Sequence, residues 1–193
     1  MKELNFGTAG IPFSTPGKQT TELGIAEVNK LGLSSMELEF VRQVYVTEEK
    51  APLIREIAEK ENVLLTCHGS YFINLNAADD AKLVASMDRI KKAAWITHLC
   101  GGYSVCFHAA YYMKQSSSVV YPKVKKNVKL IVKDLQNKGV DLWIRPETTG
   151  KPTQFGDIKE LIKLSSELEQ VLPVVDFSHL HARSNGKYNS VEE

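Results

Sequence analysis

Val63-Leu64-Leu65-Thr66-Cys67-His68 is an apolar run that ends on an imidazole, and its form recurs three more times along the chain. Tyr103–Phe107 leads into His108, Leu142–Pro146 into Glu147, and Val171–Val175 into Asp176, with His179 three residues further on. Runs of this length and composition read as strands. If they lie parallel, their carboxyl ends point one way, and the imidazoles and carboxylates gather on one rim. A catalytic metal centre needs such a gathering, and chance rarely produces it.

Working outward, strand-like runs lie at Leu4–Gly7, Ser35–Phe40, Val63–His68, Tyr103–His108, Leu142–Glu147 and Leu172–Asp176. The gaps have helical periodicity. A helix over 20–31 ends at Gly32, and Thr47 is positioned to cap another that runs to Lys60. Asp79 or Asp80 opens a long helix with an inward stripe of Leu83, Met87, Ile90 and Ala94, stopped by Gly101 and Gly102. Val124, Val128, Ile131 and Leu135 make the next stripe, closed by Gly139. Asp157 with Glu160 three residues later has the form of a capping box.

Strand and helix therefore alternate, and right-handed crossovers make the strands parallel. An open doubly wound sheet and a (β/α)8 barrel both fit that order. The first strand is not followed by GxGxxG, which removes the simplest dinucleotide reading. Reactive residues at four successive strand ends favour a barrel, where every βα loop shares one rim. The expected fold is an α/β (β/α)8 TIM barrel with only about six βα units, where a full barrel needs about 250 residues. Residues 1–193 are expected to be a single β/α barrel domain forming the N-terminal part of a longer chain.

Composition limits the partners. The chain has 193 residues, 43% hydrophobic and 24% charged, with a formal net charge of +1, which suits one folded domain and argues against disorder. No global field draws nucleic acid. Lys123, Lys125, Lys126, Lys129 and Lys133 share one helix and read best as its solvated face. Three cysteines without a CxxC spacing suit a reducing compartment. With no signal-peptide pattern and no apolar window of membrane length, a cytoplasmic protein without a membrane partner is expected.

Histidine and carboxylate at strand ends are mixed N and O donors, the set preferred by zinc, manganese or iron(II). A lone His68 would read as a core histidine bonded to a carbonyl; repetition over four runs reverses that reading. Glu147, following Leu142-Trp143-Ile144, would be buried at real cost unless paired or bound to a metal. Asp176 invites the same argument. His181 reads as a substrate-side or surface residue and His98 as structural. Glu37 and Glu39 share a face of the second strand, and Glu39 is either at the barrel mouth or in a structural hydrogen bond.

Cys67-His68-Gly69-Ser70-Tyr71-Phe72-Ile73-Asn74-Leu75 resembles the His-x-Ser-Tyr-x-Ile-Asn-Leu segment of the endonuclease IV family. Its members are zinc-dependent apurinic/apyrimidinic endonucleases on a barrel of the xylose-isomerase-like type. Phe107-His108, Arg145-Pro146-Glu147-Thr148-Thr149-Gly150 and Val175-Asp176-Phe177-Ser178-His179 match later motifs of that family in order and spacing. The resemblance implies that His68 and His108 bind a first zinc ion, that Glu147 bridges it to a second held by Asp176, and that His179 binds a third. Manganese is an acceptable substitute. It also implies four further ligands on later strands that this chain lacks, so the chain as given is expected to be weakly active or inactive. Phe177, Ser178 and Thr148 depart from the family pattern beside the ligands and would tune the site.

The implied substrate is double-stranded DNA with an abasic site, cut 5′ to the lesion in base-excision repair, with Glu147 as the catalytic carboxylate. Tyr71 and Phe72 are placed to enter the duplex, and Arg42 to contact a phosphate. The intact enzyme is expected to be a monomer, while the shorter chain can self-associate through open edges. The alternatives are a sugar isomerase or epimerase on the same barrel type, using a divalent metal, and a non-enzymatic binding module.

Overall fold

A computed structural model describes residues 4–192. Five parallel strands form its sheet, β1 (Gly7–Ala9), β2 (Ser35–Glu39), β3 (Leu64–His68), β4 (Ser104–Phe107) and β6 (Trp143–Pro146), in spatial order β1-β2-β3-β4-β6. Helices α1 (Thr21–Lys30), α2 (Ala51–Lys60), α3 (Asp80–Leu99) and α4 (Ser117–Asn137) cross between them, and α5 (Ile158–Glu167) and α6 (Phe177–Arg183) follow. Two short strands, β5 (Ala110–Tyr111) and β7 (Gln154–Phe155), pair antiparallel where the chain leaves β4 and β6. The sheet is an arc, and among the described residues no ladder joins β1 to the far edge. This is the parallel, incomplete barrel expected.

Alternation along the strands separates two faces. Met36 and Leu38 of β2, Leu65 and Cys67 of β3, and Ile144 of β6 are buried beneath the helices. Glu37, Glu39, Thr66 and His68 occupy the opposite face and the rim. Ile25, Val28, Ile54, Ile90, Val128, Ile131 and Leu135 supply the helical side of the core. Fully burying an aliphatic side chain of this size contributes about 1.5–3 kcal/mol, and truncating Ile90 to Ala would cost about 2–5 kcal/mol.

The helix boundaries follow from local chemistry. Asp79 accepts from Lys82 N and opens α3, and Gly101, at φ 74°, ends it. Asp157 and Glu160 form the capping box of α5. Thr47 does not cap α2 with its side chain. Its carbonyl accepts from Ala51 N, and the helix proper starts at Ala51 with Pro52 in the first turn, where a missing N–H costs nothing.

Two strands differ from expectation. The first lies at Gly7–Ala9 instead of Leu4–Gly7, in register with Ser35–Glu37. The segment around Leu172–Asp176 makes only isolated bridges, Ile144 with Val171 and Glu147 with Val174. Leu172 N donates to Ile144 O, so Pro173 faces away from β6 and its missing N–H breaks no bond to that strand. Val174 N still donates to Pro146 O, and Thr148 N to Val174 O, which places Asp176 beside β6. Among the described residues, no helix is long and apolar enough to cross a membrane. The lysine face of α4 is balanced by acidic partners such as Glu167, which pairs with Lys125.

Candidate metal centre

The five strands of the main sheet run the same way, so the residues at their carboxyl ends meet. His68 ends β3, His108 follows β4 by one residue, and Glu147 follows β6 by one. Backbone bonds lock these ends together: Gly69 N donates to Cys106 O at 2.7 Å, and Glu147 N to Phe107 O at 3.0 Å. His68 Nε2 and His108 Nε2 lie 3.2 and 3.4 Å from Glu147 Oε2, and His179 Nδ1 lies 3.4 Å from Glu147 Oε1. Glu147 thus stands between three imidazoles at 5% exposure.

Asp176 is the N-cap of α6. One carboxylate oxygen accepts from His179 N, and the other lies 3.5 Å from His179 Nδ1. The capping turn is what brings two residues three apart in sequence onto one site. Two ligand groups result, His68-His108-Glu147 and Glu147-Asp176-His179, each with donor atoms within 4.8 Å of one another. Glu147 belongs to both. All five predicted ligands are therefore brought together.

The donor set fits a divalent cation. His108 Nε2 and Glu147 Oε2 are buried and lack a hydrogen-bond partner, an arrangement that is costly unless another group satisfies them. His68 Nδ1 lies 2.8 Å from Gly69 O and His179 Nδ1 2.9 Å from Thr148 O. A carbonyl only accepts, so His68 Nδ1 carries the proton and Nε2 faces Glu147, the usual way a backbone partner orients a metal-binding histidine, whereas His179 turns one nitrogen, Nδ1, toward Thr148 O, Glu147 and Asp176 alike. Nitrogen and oxygen donors together suit zinc, manganese or iron(II).

Without a metal the same groups pair electrostatically. Burial pushes the Glu147 carboxyl up, but the His108 and His68 imidazoles beside it outweigh that and hold the group at about 2. Burial pulls His68 down, while Glu147 and the Gly69 carbonyl raise it to about 9. Glu37, on the inner face of β2, is raised chiefly by burial, with His68 opposing and Glu39 adding to the rise. It accepts from Cys106 Sγ at 3.5 Å.

Tyr71 stands over the imidazoles, its ring 5.4 Å from His68 and 6.2 Å from His108. Phe72 is exposed and outside the cluster, with its carbonyl accepting from Arg89. Arg42 is exposed on the neighbouring loop, which Tyr71 N joins through Val41 O. His98 lies against Trp95 and Asp141, away from the cluster. His181 turns away to Lys187 O. The sequence marks Thr148 only as a tuning neighbour. It is fully buried, its hydroxyl accepts from Asp176 N, and its carbonyl holds His179. No sequence spacing signals that role, because it arises from a bridge between non-adjacent segments.

The family model described as a xylose isomerase-like TIM barrel matches residues 25–192. The chain belongs to that family. An uncharacterized protein of Methanocaldococcus jannaschii, MJ0133, is 42% identical over 186 residues, covering 96% of this chain and 66% of the relative. D-psicose 3-epimerase from Clostridium cellulolyticum superposes with a TM-score of 0.71 at 14% identity, over 95% of this chain and 66% of the epimerase. Endonuclease IV from Thermus thermophilus superposes with a TM-score of 0.70 at 21% identity, over 90% of this chain and 64% of the endonuclease. This chain spans less than two thirds of the length of each. Identities this low establish the barrel fold that this chain shares with the two enzymes, and two different enzyme chemistries occur on it.

Proposed function

We propose that this chain carries the metal centre of a zinc-dependent apurinic/apyrimidinic endonuclease, which hydrolyses a phosphodiester 5′ to an abasic site in double-stranded DNA. The observation that carries the reading is the convergence of His68, His108 and His179 on the shared carboxylate of Glu147. Three imidazoles, uncharged as metal ligands, and two carboxylates leave two or three divalent cations with net positive charge. An anionic phosphodiester requires that surplus, whereas a neutral ketose gains little from it. The His-x-Ser-Tyr-x-Ile-Asn-Leu resemblance supports the same choice.

A bound divalent cation supplies Lewis-acid polarisation of a phosphoryl oxygen and offsets the charge that develops there. The chain's own residues set where this happens. His68 and His108 would hold one ion, Asp176 and His179 others, and Glu147 would fix their separation. Thr148 keeps Asp176 and His179 in place. Tyr71, half exposed beside the imidazoles, is positioned to fill the gap left by a missing base, and an abasic nucleotide is the easiest to extrude because nothing must be unstacked. Zinc fits best, with manganese as a substitute.

The test is incision of a duplex containing one abasic site, by this chain and by its M. jannaschii relative, each with zinc and with a chelator. Metal-dependent incision that leaves an extendable 3′-hydroxyl, and is lost in Glu147→Gln, supports the reading. An intact duplex with both metal-loaded proteins overturns it, and epimerisation of a ketose would put a sugar epimerase in its place.

A further inference from the structure

Beside the metal centre, α3 and the loops that follow β2 and β3 enclose a cleft of about 190 Å³. Its lining includes Arg42, Arg89 and Lys92, with Phe40, Val44 and Ser70, and contains no carboxylate. Other clefts that gather several charged residues mix signs: Arg55 faces Glu59 in one, Lys129 and Lys133 face Glu167 and Glu169 in another, and a third, which Lys92 also borders, holds Asp88 and Asp134, both paired with Lys91. Among the described residues, Arg42 and Lys92 have no partner, and Arg89 donates only to the Phe72 carbonyl, at 3.1 Å. Three cations around one small space repel each other, and a chain of net charge +1 does not force them together. An anion resolves the conflict.

The position narrows the anion. Phe40 N donates to His68 O, and Tyr71 N to Val41 O, so the cleft wall is continuous with the metal-bearing rim. Arg89 and Lys92, three apart on α3, share a helix face. Ser70 follows His68 by two residues, a reach of about 7 Å at most. Successive phosphates of one strand advance about 3.4 Å along the duplex axis.

We propose that this cleft seats a backbone phosphate of the nucleic-acid strand lying across the metal centre, about two or three nucleotides from the reacting one, with Arg42, Arg89 and Lys92 as its clamp. The inference rests on the nuclease reading, because it takes the strand's path from the metal centre. It adds α3 to the substrate-binding surface. The clamp carries no base-specific contact, so it positions the strand without reading sequence.

The experiment measures binding of a fluorescein-labelled abasic duplex to the chelated protein by anisotropy over a range of salt concentrations. Each phosphate contact contributes about 0.9 to the slope of log affinity against log salt. The double variant Arg42→Gln/Lys92→Gln removes charges that make no contact within the protein, and loss of the one clamped phosphate should flatten the slope by about 0.9. The control Lys129→Gln/Lys133→Gln removes the same charge from the α4 groove and should leave the slope as in wild type. Equal slopes for the cleft variant and the control overturn the clamp. So does displacement of the duplex by millimolar inorganic phosphate at fixed ionic strength, which would assign the cleft to a free anion. Binding with the expected slopes but no incision by this chain or its M. jannaschii relative, both metal-loaded, sinks the nuclease reading alone, while no binding by wild type sinks both.

Discussion

His68 Nε2 stands 3.2 Å from Glu147 Oε2, while the other nitrogen of the same ring is committed to the Gly69 carbonyl. The imidazole is thus aimed at the carboxylate with its orientation already fixed. In the metal-free protein the ring takes up a second proton and pairs with Glu147. A metal ion must displace that proton to reach Nε2.

Metal affinity should therefore rise with pH until His68 loses its proton at about 9. Displacement of one proton gives about a tenfold gain per pH unit between about pH 6 and pH 8. Zinc titration by calorimetry, in buffers of different ionisation enthalpy, measures both the slope and the proton released. A pH-independent affinity with no proton release would contradict the pairing.

The same pair sets how the chelated protein responds to pH. Glu147, held at about 2 against an ordinary 4.5, contributes stability that is present above 4.5 and fades as pH falls toward 2. His68, raised to about 9 from 6.5, contributes stability that is present below 6.5 and is lost as pH rises through 9. Their joint contribution is greatest between 4.5 and 6.5. Urea midpoints of wild type with chelator should fall on raising the pH from 6.5 to 9, and less so in His68→Gln. An equal response of both proteins contradicts the assignment.

Gly156 supports the site from behind. Its φ of +132° is one that side-chain-bearing residues rarely adopt, and an added Cβ would lie 2.8 Å from Glu147 O. Gly156→Ala should cost about 1–3 kcal/mol in denaturant unfolding and weaken metal binding by tilting the Glu147 peptide. Unchanged stability and affinity would show that this backbone is not held.

The three cysteines should be silent. Burial pushes Cys100 up to about 12 and raises Cys67 and Cys106 as well. At neutral pH an aromatic disulfide reagent should find no reactive thiol in the folded protein and all three after denaturation. Rapid labelling of native protein would show that the region around Cys67 or Cys106 opens.

Much of this was legible in the sequence because strand period and strand direction do the positioning. His68, His108 and Glu147 could be placed on one rim once their runs were read as parallel. Helix ends were equally plain where Asp79, Asp157 or Gly101 announced them. The sixth strand was not, since its pairing with β6 reduces to isolated bridges at Val171 and Val174, which the apolar pattern does not show. Asp176 signalled a ligand but not the helix it caps, and the role of Thr148 depends on a contact between segments 28 residues apart. The charge imbalance of the α3 cleft comes from Arg42, on the loop after β2, and Lys92, on α3, lining one space, which no local window contains.

The most direct test of the metal centre is the zinc retained by wild type, His108→Ala and His181→Ala after dialysis against a buffered metal concentration. Wild type and His181→Ala should retain zinc equally, and His108→Ala should lose affinity by more than the roughly 100-fold that a supporting residue can cost. Zinc held equally by wild type and His108→Ala, or by neither, would contradict the centre.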